Sequence, residues 1–378
     1  MRVVMLLGRS TGGIGTHVAD LTADLRALGA DVTVVTDRST AERFALSGAR
    51  LWWPGRSSGL LGSLRGLWRL RGLARGADVL HAHGHQAGLV AVVATAGTGT
   101  PVVVSQHNAV LGAGPRRRLL DGILRLVARR ATLVTGASSD LVDQAVRMGA
   151  PQARLAAVPS PRVQELLERE PLADDARRAL AAELLQENGI ETEPGTPMVL
   201  TIARIAPQKD LATLVDAAAS TASGMDGTRA PGPVWVVVGE GDDALLTSLR
   251  RRALAQAAPV HFVGAQPDPG RWLRAADVFV LTSTWEARAL VVQEAMAAGV
   301  PVVATDAGGL PDLVGGVGVL VPVGRADETA DAVGRYLAEP AARHTASAAG
   351  RERAASWDDG KATASRWHEW YAALPGMT

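Results

Sequence analysis

The chain has 378 residues, 47% of them hydrophobic and 20% charged, which excludes a disordered protein and suits two α/β domains. It contains no cysteine, so disulfides, thiolate metal sites and a cysteine nucleophile are excluded and a reducing compartment is favoured. The net charge of +1 conceals a basic part, residues 1–165 with 20 Arg, no Lys and 10 acidic residues, followed by an acidic part.

Short apolar runs alternate with helical patterns along the chain. In chain order, the predicted strands are 2–7, 31–36, 78–83, 101–107, 131–137, 197–203, 233–241, 259–265, 276–283, 300–306 and 318–323. Continuous apolar strands of this length are typical of parallel sheets covered by helices on both faces. We therefore predict an α/β protein with two doubly wound domains, residues 1–165 and 166–355. A helix that begins at Ser356 is predicted within residues 356–378.

The first apolar run, Val3–Leu7, precedes a glycine-rich loop and is too short for a signal peptide. No apolar stretch reaches the ~18–20 residues that span a membrane. Both features predict a cytoplasmic protein.

The glycine-rich loop leads into a helix. Its residues Gly12, Gly13 and Gly15 allow a ligand to approach the backbone closely. The dinucleotide-binding fingerprint requires a further glycine where Val18 stands, so that fingerprint fails. Asp37, after the second strand, nevertheless resembles the ribose-binding acid of dinucleotide folds. A nicotinamide-dependent dehydrogenase therefore remains an alternative.

Five histidines lie within the first 107 residues. His107 stands at the carboxyl end of a predicted strand, where doubly wound folds place their chemistry. His81, His83 and His85 alternate, so they share one strand face if the strand extends that far. Because no carboxylate or fourth ligand is near, the trio favours ordinary hydrogen-bonded histidines over a metal site.

Two cations follow the predicted strand at 197–203. Arg204 ends this strand and Lys209 opens the next helix, a placement that predicts a diphosphate clamp. Lys209 is one of only two lysines, against 37 arginines. Its presence indicates either a need for a compact point charge or chance.

Two glutamates frame the loop and helix within 284–299. Glu286 follows a predicted strand, and Glu294 lies about two turns inside a helix that Gly299 ends. Eight helical residues span roughly 12 Å, more than the ~5–9.5 Å between a glycosidase acid and base. The helix N-terminus between the glutamates suits phosphate. The pattern indicates a nucleotide-sugar held at both ends, or else two carboxylates that face solvent.

Together these motifs resemble the retaining glycosyltransferases of family four, which have the GT-B fold, over nearly the whole chain. The resemblance is carried by GGIGTHV (12–18), DVLHAHG (78–84), SQHN (105–108), ARIAPQKD (203–210), VVGEGD (237–242), HFVG (261–264), EARALVVQEAMAAGVPVVATDAGGLPDLV (286–314), GVLVP (318–322) and the helix from the Ser-Trp pair at 356.

The resemblance implies a nucleotide-sugar donor, bound mostly by the C-terminal domain, in a cleft between two Rossmann-like domains. The C-terminal helix would cross back onto the N-terminal domain. Glu294 would bind the ribose hydroxyls and Glu286 the hydroxyls of the donor sugar. Arg204 and Lys209 would neutralise the diphosphate in place of a metal ion.

The remaining implied contacts come from backbone groups and one imidazole. The backbone of Ala289, Leu290 and Val291 would assist at the diphosphate, Gly13 would approach the donor phosphate, and His107 would lie by the sugar. The family retains anomeric configuration and generally needs neither a metal nor another cofactor. In its commonly proposed front-face route the departing phosphate takes the proton of the acceptor, so no protein base is assigned.

The sequence departs from the family pattern in four places. The Gly and Phe that often follow the first glutamate are Ala287 and Arg288 here, and the usual Gly after the lysine is Asp210. The interdomain signature PNGVD has become PSPRV at 159–163, and Asn108 replaces an acid. These changes leave the cations and carboxylates in place but put the choice of donor in doubt.

The acceptor is indicated only indirectly. Segments 59–78 and 114–131 mix Arg with Leu, Ile or Trp at helical spacing, a pattern that can lie on anionic lipid or simply belong to ordinary amphipathic helices. Phosphatidylinositol mannosyltransferases use such a surface. We therefore expect a UDP- or GDP-linked donor and an unidentified acceptor, such as a lipid or cell-envelope precursor. We also expect contact with the inner membrane face and no nucleic-acid partner.

Two further alternatives remain open. A non-hydrolysing sugar-nucleotide epimerase has a similar two-domain build. A non-catalytic binding protein on this scaffold is supported only by the changed residues Ala287 and Arg288.

Overall fold

The computed structural model of the protein describes residues 1–10, 12–55, 58–109, 115–224 and 232–376, without the side chains of 115–117 and 222–224. The chain forms two compact units. Unit 1 comprises Met1–Pro159 and Asp358–Thr378, and unit 2 comprises Ser160–Trp357. The first division thus falls after Pro159, close to the predicted boundary between residues 165 and 166.

Unit 1 is built on one sheet whose recorded strand pairs are all parallel. Its strands are β1 (Arg2–Leu7), β2 (Asp31–Thr36), β3 (Arg50–Leu51), β4 (Val79–His83), β5 (Val102–Gln106), β6 (Leu133–Gly136) and β7 (Ala153–Leu155), in the order β3-β2-β1-β4-β5-β6-β7. Its helices are α1 (Gly13–Ala27), α2 (Arg38–Arg43), α3 (Gly59–Arg75), α4 (His85–Thr95), α5 (Pro115–Arg130), α6 (Ser139–Arg147) and the C-terminal α16 (Gly360–Ala372).

Unit 2 repeats this plan with a parallel sheet. Its strands are β8 (Met198–Ile202), β9 (Val234–Val238), β10 (Val260–Gly264), β11 (Val278–Leu281), β12 (Val302–Thr305) and β13 (Val319–Val321), in the order β10-β9-β8-β11-β12-β13. Its helices are α7 (Val163–Glu168), α8 (Asp174–Glu187), α9 (Leu211–Gly224), α10 (Asp243–Ala255), α11 (Pro269–Ala275), α12 (Leu290–Ala297), α13 (Leu310–Val314), α14 (Ala326–Ala338) and α15 (Pro340–Ala355), with a 3₁₀ turn at Pro207–Lys209.

Each sheet is buried on both faces. In β8, Met198 and Leu200 belong to one apolar cluster while Val199 between them belongs to another on the opposite face. Such two-sided burial requires the continuous apolar strands that the sequence displays. The predicted doubly wound α/β architecture is therefore confirmed, and all eleven predicted strands are present.

Strands β3 and β7 are not among the predicted strands, because neither contains an apolar run. Their residues are largely exposed at the two edges of the unit 1 sheet. Sheet edges need less apolar surface than central strands, so the hydrophobic pattern is weak there.

The C-terminal helix α16 packs within unit 1 against α1. Trp367 and Tyr371 are buried in the same apolar cluster as β1. The expectation that this helix begins at Ser356 is wrong. Ser356 is the C-cap of α15, and α16 is capped by Asp359, whose carboxylate accepts from the Ala362 N–H at 2.7 Å.

Within the residues that the structure describes, no helix is both long and apolar enough to cross a bilayer.

Candidate functional site

The sheet of unit 2 has a topological switch point between β8 and β11. From β8 the strand order runs outward through β9 to β10, and from β11 it runs the other way through β12 to β13. The loops after β8 and β11 therefore leave neighbouring carboxyl ends in divergent directions, which is where doubly wound sheets bind ligands. Arg204 and Lys209 lie on the first of these loops and Glu286 on the second.

Arg204 is held in an extended segment that follows β8. Its neighbours Ala203 and Ile205 are buried, while Arg204 itself is exposed. The Ile205 N–H donates to the Glu240 carbonyl at 3.0 Å. A Cβ on Gly239 would lie 2.0 Å from the Ala203 carbonyl oxygen, so the adjoining loop must have glycine there. This packing directs the Arg204 side chain to the surface at the strand's carboxyl end.

Lys209 and Glu286 contact each other. The Lys209 ammonium forms an ion pair with Oε1 of Glu286, and the Ser283 hydroxyl donates to the same oxygen at 2.7 Å. Only 14% of the lysine side chain and 12% of the glutamate side chain are exposed. The family resemblance implies that these two residues bind different parts of a donor, and the structure brings them together as partners.

The turn that carries Lys209 explains one departure from the family pattern. Asp210 has φ +42°, a left-handed conformation that glycine adopts freely and aspartate tolerates better than most residues. The Thr282 hydroxyl contacts the carbonyls of Lys209 at 3.1 Å and Asp210 at 3.0 Å. Asp210 therefore preserves the backbone geometry that a glycine would provide.

The Glu286 backbone rests on the loop after β12. The Gly309 N–H donates to the Glu286 carbonyl at 2.7 Å. Gly308 has φ +60°, and a Cβ there would lie 2.1 Å from the same carbonyl oxygen. The Gln208 amide also donates to the Trp285 carbonyl at 2.6 Å. This bond joins the loop that carries Lys209 to the loop that carries Glu286.

Helix α12 begins at Leu290 and lies between the two glutamates in sequence. Its N-cap is Ala289, and no side chain of the described residues caps it. The first N–H groups of a helix have no acceptor four residues earlier within it. The Val292 N–H donates to the Ala289 carbonyl at 3.1 Å, which leaves those of Leu290 and Val291 for an anion. The helix ends as predicted, since Gly299 follows it with φ +76°.

Glu294 is buried in the second turn of α12, and only 8% of the residue is exposed. The Ser160 hydroxyl donates to its Oε1 at 2.6 Å, and Arg162 Nη1 lies 3.7 Å from Oε2. Burial raises the pKa of the Glu294 carboxyl, while the Ser160 hydrogen bond and the Arg162 charge oppose that rise. Ser160 and Arg162 were missed as site residues, although both lie in the PSPRV segment that departs from the family signature.

Arg288 is engaged within unit 2. Its guanidinium lies over the Trp357 ring, 5.2 Å from the centroid. Burial lowers the pKa of Arg288 to about 10, and the charge of Asp312 opposes this shift. The side chain that replaces the usual aromatic residue therefore still contacts an aromatic ring.

The sheet of unit 1 has its own switch point, between β1 and β4. The glycine-rich loop after β1 leads to Gly13, the exposed first residue of α1. Gly15 has a different role, because a Cβ there would lie 2.1 Å from the Phe44 ring. Gly13 thus remains a candidate for close ligand approach, whereas Gly15 is required for packing.

Three buried histidines cluster beside this switch point. His83 Nδ1 lies 3.2 Å from His107 Nε2, and their rings are stacked at 5.4 Å. The His17 ring lies 5.9 Å from His83 and 5.6 Å from His107. Burial lowers the pKa of His17 to about 4 and that of His107 to about 3, so both imidazoles are neutral near pH 7. His107 can therefore donate or accept a hydrogen bond but carries no charge.

Of the three alternating histidines, His81 and His83 share a strand face, with ring centroids 4.1 Å apart, and His85 does not. Strand β4 ends at His83, and His85 opens α4. His81 is bound elsewhere, since its ring nitrogens lie 2.6 Å from the Tyr371 hydroxyl and 2.7 Å from the Ser105 hydroxyl. In the described part of the chain, no group of three or more His, Asp or Glu side chains could hold a metal ion.

Asp37, the candidate ribose acid of a dehydrogenase, caps α2 instead. Its carboxylate accepts from the Ser39 N–H at 3.0 Å and from the Thr40 hydroxyl at 2.6 Å. These bonds explain the aspartate without a dinucleotide.

Two family models match the chain. The Glycosyl transferase 4-like domain matches residues 12–161, and the domain described as Glycosyl transferases group 1 matches residues 185–353. The α-D-kanosaminyltransferase of Streptomyces kanamyceticus is 30% identical over 296 residues, which cover 73% of each chain. The chain belongs to the group 1 glycosyltransferases.

Other comparisons agree with this family. The D-inositol 3-phosphate glycosyltransferase of Jonesia denitrificans is 29% identical over 301 residues, 74% of this chain and 69% of that protein. The crystal structure of Anabaena Alr3699/HepE in complex with UDP has a TM-score of 0.82 at 21% identity, covering 99% of this chain and 100% of that one. The similarity in structure confirms the predicted GT-B architecture of two Rossmann-like domains.

In this glycosyltransferase, the residues predicted for donor binding in unit 2 gather around one switch point. Arg204, Lys209 and Glu286 lie on its two loops, and Glu294 lies on the helix that follows. His107 and Gly13 lie by the corresponding edge of the unit 1 sheet.

Proposed function

We propose that this glycosyltransferase moves a sugar, with retention of anomeric configuration, from a UDP- or GDP-linked donor to an unidentified acceptor. The observation that carries the proposal is the placement of two cations and two carboxylates around the N-terminus of α12. A phosphate suits the cations and the helix N-terminus, and hydroxyl groups suit the carboxylates. The structures of Alr3699/HepE with UDP and with UDP-glucose support the donor class.

Each unit 2 residue then has a separate role. Ionised Glu294 accepts from the ribose hydroxyls, and Glu286 accepts from hydroxyls of the sugar. Arg204 and Lys209 stabilise the negative charge that develops on the departing diphosphate, with the N–H groups of Ala289–Val291 assisting. Because these cations can supply the charge that a metal would otherwise supply, we propose that catalysis needs no metal or other cofactor.

The contributions of unit 1 stay predictions from the family resemblance. Gly13 would bind the donor phosphate through its backbone, and a neutral His107 would hydrogen-bond the sugar. The acceptor loses its proton to the departing phosphate, so we assign no protein base.

Donor class and site can be tested by thermal shift with UDP, GDP, ADP, their sugars and NAD. A ligand at a hundred times its dissociation constant adds about 2.7 kcal/mol of stability. We expect one nucleoside diphosphate to stabilise the wild type and Glu352→Gln, an exposed control, but to stabilise Glu294→Gln much less. Stabilisation by NAD alone would contradict the proposal and favour the dehydrogenase.

Turnover separates the enzyme from a binding protein or an epimerase. Donor hydrolysis or transfer should fall at least about a hundredfold in Lys209→Gln, which loses a charge at the reacting diphosphate, and persist in the exposed Lys361→Gln. An unchanged rate in EDTA and an α product from an α donor are the expected readouts for metal independence and retention. Free epimerised sugar without an acceptor would instead identify an epimerase.

We also propose that α3 contacts an anionic membrane surface, where a lipid acceptor would be met. Leu60, Leu61, Leu64 and Trp68 of this helix are 46–82% exposed, and their spacing places them along one side. Arg65 beside them is exposed as well. Large exposed apolar side chains next to arginine suit an interface of lipid headgroups.

Helix α5 shares this character. Leu119, Leu120 and Leu126 are 42–69% exposed on a helix that ends in Arg129 and Arg130. The first residue of the predicted segment 114–131, Gly114, lies outside the described residues. A cytoplasmic location at the inner membrane face stays a prediction.

Liposome flotation tests the membrane proposal. We expect recovery with anionic vesicles to exceed recovery with neutral ones, and the Leu60→Ser/Trp68→Ser variant to lose the difference. Leu254→Ser, at an 85% exposed leucine of α10, is the matched control and should float like the wild type. Equal recovery with neutral and anionic lipid would contradict membrane binding through charge.

A further inference from the structure

A cavity with several charged residues in its wall lies in unit 2, at the opposite ends of the strands from Arg204. It has a volume of about 300 Å³. Asp277, just before β11, and Pro301, just before β12, contribute to its wall. The cavity therefore opens at the amino ends of the strands, whereas the proposed donor site lies at their carboxyl ends.

Positive charge exceeds negative charge in this cavity. Its charged and titratable lining residues are Arg177, Arg274, Arg343, His344, Asp174 and Asp277. Three guanidinium cations face two carboxylates in the wall. An occupant that balances this charge must be an anion.

One arginine is fully engaged by the two carboxylates. Arg177 donates through Nη1 to Asp174 at 2.7 Å and through Nη2 to Asp277 at 2.6 Å, with Nε 3.1 Å from the same Asp277 oxygen. The second oxygen of Asp277 accepts from the Met198 N–H at 2.9 Å. The hydrogen bonds of Arg177 and Asp277 are thus made within the protein. The remaining cations of the cavity are Arg274 and Arg343.

Arg343 and Arg274 retain donors that these carboxylates do not use. Arg343 is 5% exposed and donates through Nη2 to Asp174 at 2.6 Å. Its Nη1 lies 3.8 Å from Asp277, beyond hydrogen-bond distance. The Nε of Arg274 is buried and has no hydrogen-bond partner among the described residues. A buried guanidinium donor without an acceptor is unfavourable, so the Nε of Arg274 points to a missing acceptor, and Arg343 Nη1 offers a further donor in the cavity wall.

We propose that this cavity binds a phosphate group, carried by a small phosphomonoester or as inorganic phosphate, through Arg274, Arg343 Nη1 and His344. A phosphate brings up to two negative charges and three acceptor oxygens, which suits several separate donors better than a carboxylate does. The guanidinium group presents its donors in a planar fork that matches phosphate oxygens. His344 is 66% exposed at the mouth of the cavity and lies 3.7 Å from Asp174, so it can reach an occupant.

Calorimetric titration tests the site, with inorganic phosphate and glycerol 3-phosphate as probes and acetate and glycerol for comparison. The titrations use the Arg204→Gln/Lys209→Gln protein, because the proposed donor clamp would itself bind phosphate. We expect saturable binding of one or both phosphate probes in this background. Tighter binding of glycerol 3-phosphate would identify a phosphomonoester ligand, and equal binding would identify phosphate itself.

Two variants of the same helix make the comparison specific. Arg274→Gln, added to that background, should weaken binding of the phosphate probes at least about tenfold. Arg271→Gln removes an equal charge outside the cavity, where Arg271 pairs with Glu183 at 2.9 Å, and should leave binding unchanged. Arg343 is unsuitable because it also pairs with Asp174 at 2.6 Å, so its loss would disturb a carboxylate that holds Arg177.

The proposal fails if neither phosphate probe binds saturably, if acetate binds as tightly as phosphate, or if Arg271→Gln and Arg274→Gln weaken binding equally. These outcomes are independent of the proposed function, because the donor clamp is absent from every protein in the comparison. Arg274→Lys, which keeps the charge but loses the fork, should bind phosphate with intermediate affinity. The melting temperature without ligand shows that each variant is folded.

Discussion

The ammonium group of Lys209 forms an ion pair with the carboxylate of Glu286, 77 residues away in the sequence. If Lys209 binds the diphosphate and Glu286 binds the sugar, a bound donor must break the ion pair between these two side chains. Part of the attraction between Lys209 and a phosphate is then offset by the loss of its attraction to Glu286. Because the phosphate and Glu286 compete for Lys209, loss of Glu286 should affect nucleotide binding and turnover of the nucleotide-sugar in opposite directions.

Glu286→Gln should strengthen binding of the nucleoside diphosphate and abolish turnover of its sugar. Removing the carboxylate charge frees Lys209, and a partly buried pair is worth on the order of 1 kcal/mol, or about fivefold in affinity. Calorimetry with the diphosphate and a donor-turnover assay measure the two effects separately. Weaker diphosphate binding in the variant would show that Glu286 does not compete for Lys209.

As the pH is lowered, nucleotide affinity should begin to fall at a pH above 4.5, the ordinary pKa of a glutamate such as Glu294. Burial raises the pKa of this carboxyl above the ordinary value of 4.5, and the ionised form is the better acceptor for hydroxyl groups. The free energy of unfolding depends on pH in the opposite direction from nucleotide affinity. The raised pKa contributes stability at low pH that is lost as pH rises through the folded-state value. Calorimetry between pH 4.5 and 8 measures the binding effect.

Ser160→Ala should shift this binding profile to higher pH and weaken binding at pH 7 by about tenfold. The hydroxyl at 2.6 Å stabilises ionised Glu294, and a hydrogen bond to a charged group is worth about 1.5–3 kcal/mol. Ser356→Ala is the control, since its hydroxyl donates only to the Arg353 carbonyl on an exposed turn. Superimposable profiles for both variants would remove Ser160 from the site.

Unit 1 should lose stability steeply between pH 6.5 and 4. Burial depresses the pKa of His17 to about 4 and that of His107 to about 3, and it lowers the pKa of His83 strongly. A depressed histidine pKa contributes stability above the ordinary value of 6.5 that disappears as pH falls below it. Each such histidine contributes about 1.4 kcal/mol per pH unit. Denaturant titrations at several pH values should therefore give a smaller slope for His17→Gln, and an equal slope would contradict this origin.

Gly308→Ala should destabilise the protein by at least about 2 kcal/mol and reduce turnover, because its Cβ would displace the Glu286 carbonyl. Gly324→Ala is the matched control. Gly324 also has a positive φ, +76°, but a Cβ there would meet no atom within 4 Å. Its substitution should cost only the left-handed backbone strain, about 1 kcal/mol. Equal unfolding free energies would show that the loop adapts without moving Glu286.

Local pattern was sufficient to predict the framework of the fold. Buried parallel strands require continuous apolar runs, so β8, β11 and β12 were visible in the sequence. The exposed edge strands β3 and β7 carry no such run and were missed. The start of α16 was placed too early because Ser356 is a good cap by type, while Asp359 supplies the actual bond.

The candidate site residues were predicted individually, but their partners were not. Ser160 reaches Glu294 across 134 positions, and Lys209 reaches Glu286 across 77. The first contact depends on how α7 packs on α12, and the second on how β8 and β11 become neighbours. A single sequence specifies neither by spacing. The stacking of Arg288 on Trp357 was hidden for the same reason.

The position of helix α16 at the end of the chain determines when unit 1 can complete its core during translation. It is translated after all of unit 2, yet Tyr371 contributes to the core of unit 1 and bonds His81 across 290 positions. A ribosome therefore releases the whole of unit 2 before unit 1 can complete its core, although β1 to β7 emerge first. Until then, the apolar face that Trp367 and Tyr371 cover stays open to solvent or to a chaperone. Unit 1 is thus the first unit to be synthesised, yet it cannot finish folding until the last helix has emerged.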